Sequence, residues 1–66
     1  MTVTVNGEPR ELAPGATVSA LLETLGLARA ACAVEVNREL VPKKQHPLHA
    51  LADGDRIEVV SLVGGG

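Results

Sequence analysis

At 66 residues the chain has the length of one small domain, a size that buries only about 60% of the surface its unfolded form exposes. It contains no Phe, Trp or Tyr, so its core must be built from Val, Leu, Ile and Ala, and no aromatic platform exists for stacking on bases or sugars. Six basic against eight acidic residues leave a net charge of −2, and no run of either sign forms the basic stripe that a nucleic-acid or membrane-surface binder needs.

Met1, Val3 and Val5 alternate with Thr2 and Thr4, the period of a half-buried first strand. The segment has neither the charged start nor the apolar stretch of a targeting sequence, and no run approaches a membrane span. Asn6-Gly7 is a two-residue hairpin signal, which makes residues 8–13 the return strand. After the Pro14-Gly15 turn, Thr17 stands where a helix N-cap belongs. Val18, Leu21, Leu22 and Leu25 then follow at i, i+3, i+4 and i+7, so an amphipathic helix is predicted, closed by Gly26 in the left-handed C′ position. Residues 27–31 are apolar without a period and fit a further helical turn or a packed loop equally.

Alternation returns with Cys32, Val34 and Val36 on one face and Ala33 and Glu35 on the other, a third strand. A turn at 37–39 leads to a short strand, Leu40-Val41, cut off by Pro42, which cannot donate a ladder hydrogen bond. Residues 43–52 read as a polar loop pinned to the core by Leu48 and Leu51. Asp53-Gly54-Asp55 is a turn that launches a last strand over 56–63. The order is two strands, a helix and three strands.

Both faces of that last strand are apolar. Ile57, Val59, Ser61 and Val63 form one, and Glu58, Val60 and Leu62 the other. In a layered protein both would be covered. With one helix available, the second set is expected to stay open, and contiguous apolar surface on a small domain marks a partner site. Glu58, Val60 and Leu62 are therefore the candidate partner interface.

Gly64-Gly65-Gly66 follow directly, with the α-carboxylate on Gly66. Alone, such a triplet is what a frayed end or linker looks like. Glycines without Cβ can also enter a narrow cleft and leave the reacting carbonyl uncrowded. Other reactive residues are less promising. His46 and His49 lack a neighbouring Cys or carboxylate ligand and read as solvated loop residues, so no metal site is expected. Cys32 opens an apolar strand without an adjacent base and reads as a buried, inert thiol. A single cysteine forms no internal disulfide, which points to a reducing, cytoplasmic setting. No nucleophile triad, phosphate loop or carboxylate pair stands out, so neither catalytic residues nor a cofactor is expected.

Three stretches together carry a family resemblance: Val3-Thr4-Val5-Asn6-Gly7; Pro14-Gly15 with Thr17-Val18-Ser19-Ala20-Leu21-Leu22; and Val34-Glu35-Val36-Asn37-Arg38-Glu39-Leu40-Val41-Pro42. Asp53-Gly54-Asp55 and the glycine end complete it. In this combination the chain resembles the ThiS family of thiamin-biosynthesis sulfur carriers over essentially its whole length. The resemblance implies an α+β, ubiquitin-like β-grasp fold, a mixed sheet of four to five strands packed on one main helix. It further implies a domain over residues 1–63 and a flexible glycine tail over 64–66. A ThiF-type adenylyltransferase would use ATP to adenylate the carboxylate of Gly66. A cysteine persulfide sulfurtransferase would supply the sulfur that makes a thiocarboxylate, and thiazole synthase, ThiG, would receive it. The family's glycine pair maps onto Gly65 and Gly66, whereas Gly64 is an additional glycine without an assigned role. Two alternatives share parts of the pattern: the small subunit of molybdopterin synthase, typically longer and richer in aromatics, and a ubiquitin-like modifier or interaction module.

Overall fold

The computed structural model describes residues 1–62. Five strands and one helix follow in the predicted order: β1 (Thr2–Val5), β2 (Glu8–Glu11), α1 (Val18–Thr24), β3 (Cys32–Val36), β4 (Glu39–Val41) and β5 (Arg56–Ser61), with a 3₁₀ turn at Lys43–Gln45. The sheet order is β2-β1-β5-β3-β4. Two antiparallel hairpins flank β5, which runs parallel to β1 and antiparallel to β3. With the helix on one face, this is the β-grasp.

Side-chain alternation decides what the helix covers. Val3, Val5, Val34, Val36 and Ile57 all point to one face and are buried there with Val18, Leu21 and Leu22 of α1. The helix has only seven residues, too few to be stable alone in water, so burial of its apolar stripe holds it together. Its ends are nonetheless well finished. The Thr17 hydroxyl accepts from the Ala20 amide at 3.2 Å, and the amides of Val18 and Ser19 donate to the carbonyls of His49 and His46. The N-terminal donors that a helix leaves unpaired are thereby satisfied by a cap and by the 43–50 loop. At the other end Gly26 has φ +76°, its amide donates to Glu23 O, and the Leu27 amide donates to Leu22 O at 2.7 Å. That paired closure is the Schellman motif.

Three details depart from the sequence reading, and one that it left open is settled. The return strand ends at Glu11 rather than residue 13, because Leu12 turns into the core. Residues 27–31, which fitted a helical turn or a packed loop, form a loop with a turn closed by the Ala30 amide on Leu27 O. The loop after β4 is anchored by Leu51 and His46, not by Leu48, which is 79% exposed. His46 is buried rather than solvated. Its Nε2 lies 3.1 Å from Val41 O, an acceptor only, so that nitrogen carries the proton and the ring enters the interior with this polar group satisfied.

Candidate functional site

Along β5 the alternation sorts the side chains sharply. Ile57 is 1% exposed and Val59 half-buried on the helix side, while Val60 and Leu62 are each 57% exposed on the other. The ladder to β3 sets what surrounds them. Ala33 stands opposite Val60, and Glu35 opposite Glu58, with Leu40 of β4 opposite Glu35 in turn. The strand ends at Ser61, but the Leu62 amide still donates to Ala31 O at 2.7 Å, so pairing with the β3 side persists to the last described residue.

The open face is therefore an apolar strip, Val60, Leu62 and Ala33, beside two facing carboxylates and Leu40. Like charges directly opposite in an antiparallel pair disfavour the sheet. Here that cost falls on a face the core does not use, and a cation brought by a partner would relieve it. Glu58, Val60 and Leu62 stand where strand alternation predicts. The interface expectation omitted Ala33, Glu35 and Leu40. Their faces could be read from alternation, but their register against β5 could not.

Gly64, Gly65 and Gly66 lie outside the described residues, as does Val63. The remaining candidates are scattered. Cys32 is half-exposed rather than buried and lines a hollow of about 170 Å³ with Ser19, Glu23, Lys43 and His46. Among the described residues no three His, Cys, Asp or Glu side chains are grouped to hold a metal ion. No helix among them is long and apolar enough to cross a membrane. At the far edge of the open face, Glu11 accepts from the Thr2 hydroxyl at 2.7 Å and lies 3.3 Å from the Met1 ammonium. The Thr2 hydrogen bond first, and the ammonium second, hold its carboxyl below the usual carboxylate value.

Comparison with known proteins agrees across sequence and structure. Residues 3–66 match the model of the ThiS family. The sulfur carrier protein ThiS of Escherichia coli is 35% identical, with both chains covered completely. A thiazole synthase of Paramagnetospirillum magneticum is 44% identical over the whole of this chain, which spans only 20% of that protein's length. The crystal structure of a thiamine biosynthesis protein, ThiS, from Geobacter metallireducens superposes with a TM-score of 0.83 at 35% identity, covering both chains fully.

Proposed function

The chain belongs to the ThiS family, and from that premise we propose that it is a sulfur carrier for the thiazole of thiamin whose working group is the carboxylate of Gly66. The observation that carries this reading is the family match over residues 3–66, which takes in the glycine end. A body over 1–63 presents the open face of β5, and residues 64–66 form the arm that reaches into a partner. The protein acts as a co-substrate in the cytoplasm, and the catalytic groups belong to its partners.

The chemistry follows from the carboxylate's poor electrophilicity. The Gly66 carboxylate attacks the α-phosphorus of ATP held by a ThiF-type enzyme, forming the acyl-adenylate and expelling pyrophosphate, so that AMP replaces oxide as the leaving group at the acyl carbon. A cysteine persulfide then attacks the acyl carbon through its terminal sulfur and expels AMP. A second thiol cleaves the resulting acyl disulfide, leaving the thiocarboxylate on Gly66 and a disulfide on the donor side. Thiazole synthase is the recipient, a pairing supported by the ThiS-like stretch within proteins of that name. Glu58, Val60 and Leu62 supply the docking surface, exposed beside the residues that lead to Gly66.

Intact mass spectrometry tests the reading. Incubation with ATP, a ThiF-type enzyme and a persulfide donor should add the mass difference of sulfur replacing one oxygen, confined to the last peptide. Deleting Gly66 should abolish the gain without lowering the thermal midpoint. Sulfur gained despite the deletion would overturn the proposal, and conjugates of high molecular weight would favour a modifier instead.

A further inference from the structure

Two asparagines hold β5 from opposite sides. Asn37, in the β3–β4 turn, and Asn6, in the β1–β2 turn, both lie in the left-handed region, at φ 52° and 51°. The Asn37 amide donates to Arg56 O at 2.7 Å, and its Oδ1 accepts from the Arg56 amide at 3.0 Å. The Asn6 amide donates to Ile57 O at 2.9 Å. Its side chain then spans Val59, Oδ1 accepting from the Val59 amide at 2.9 Å and Nδ2 donating to Val59 O at 3.1 Å. One asparagine fastens the beginning of the strand. The other fastens the part nearest Gly66.

The second fastening replaces a missing ladder. β1 pairs with β5 only at Thr4–Arg56 and Val5–Ile57, after which the chain turns away into β2. Peptide groups of Ile57, Val59 and Ser61 face the β1 side, since Leu62 and Arg56 bond toward β3 and its turn. Beyond Ile57 no strand among the described residues pairs with that side. A carboxamide offers one donor and one acceptor in a plane, the pair a further strand residue would present. The Asn6 side chain thus extends β1 by one position, and Val59 is the last residue of β5 held from both sides. A strand held by one ladder can twist about it, whereas one held by two cannot.

We propose that Asn6 is a positioning residue for the reaction at Gly66: by clamping Val59 it fixes the direction in which the chain leaves the sheet and enters the activating enzyme. The inference rests on the carrier reading above. Asn37 provides the internal control, with the same residue type, backbone conformation and hydrogen-bond style at the other end of the strand.

The experiment compares Asn6→Gly with Asn37→Gly, because glycine keeps the left-handed backbone accessible and removes only the carboxamide. Each is assayed for thermal midpoint, amide exchange at Val59, and kcat and KM for thiocarboxylate formation by a ThiF-type enzyme with ATP and a persulfide donor. Misplacement of a reacting group by about 1 Å can cost on the order of 100-fold in rate, so Asn6→Gly should lower kcat by about tenfold or more with KM unchanged and Val59 exchange accelerated. Asn37→Gly should lose comparable stability while keeping both kinetic constants. If Asn6→Gly does not fold, Asn6→Asp carries the test, since it keeps the acceptor for the Val59 amide and sets a carboxylate oxygen against Val59 O in place of the donor. An unchanged kcat with accelerated Val59 exchange overturns the proposal, as do losses in both variants that track their thermal midpoints. Wild-type protein that gains no sulfur at all overturns the carrier reading itself.

Discussion

The two faces of the sheet are built from the same five strands and answer to different demands. Under the helix, Val3, Val5, Val34, Val36 and Ile57 are buried without a charged neighbour in the core cluster. On the open face, Thr2, Thr4, Arg56, Glu58 and Glu35 stand beside exposed Val60, Leu62 and Leu40. The first face stabilises the domain, and the second is free to vary with what it must meet. In so small a core the division has to be strict, because few apolar residues can be diverted from burial.

The largest effect should come from the covered face. Leu21→Ala, at a fully buried position, is expected to cost about 2–5 kcal/mol, a large part of the roughly 5–15 kcal/mol that holds a domain folded. Urea denaturation reads this directly, and a change in midpoint no larger than that of a surface variant would break the contrast. Next comes the open face, where Val60→Asp should leave stability within about 0.5 kcal/mol. Truncating or charging a desolvated interface anchor can cost about 2 kcal/mol or more in binding, so calorimetry with the activating enzyme should show affinity weakened roughly 30-fold. Val60→Asp that unfolds the free domain, or binds undiminished, would reverse the roles of the two faces.

The smallest effect lies at the edge of the open face, on Glu11. Its folded-state pKa is lowered, so its contribution is present above the ordinary carboxylate value and disappears as pH falls through the lowered one. Denaturation midpoints of wild type and Glu11→Gln should therefore differ slightly near neutrality and converge as pH falls through the ordinary carboxylate range and then through the lowered pKa of Glu11. A gap that persists in acid would mean that Glu11 acts through packing rather than charge.

Local chemistry made much of this legible. Asn6-Gly7, the Thr17 cap, the leucine stripe and Gly26 each act within a few residues, and each element they mark is found in place. The open face of β5 followed from alternation alone. What depended on distant partners was not legible. Leu48 and His46 exchange their expected places because the Gln45 carbonyl gathers the amides of both Leu48 and His49 into a tight turn, while Val41 O satisfies the imidazole inside. Neither interaction leaves a periodic trace. Asn6 was readable as a turn residue, but its bonds to Val59 require the parallel register of β1 and β5, which pairs residues from opposite ends of the chain.

That parallel register also governs when the domain can come into being. The middle strand of the sheet, β5, is the last strand in the chain order, and its parallel neighbour is the first. Contacts between such remote segments carry a large loop-closure cost and slow folding relative to helical chains of equal length. During synthesis the two hairpins and the helix can emerge from the ribosome, yet they have no centre to assemble around until β5 follows. A product interrupted before β5 cannot present the open face, because β5 joins the two hairpins whose residues share that face. An incomplete chain therefore lacks both the strand around which the core closes and the Gly66 carboxylate that the proposed carrier chemistry requires.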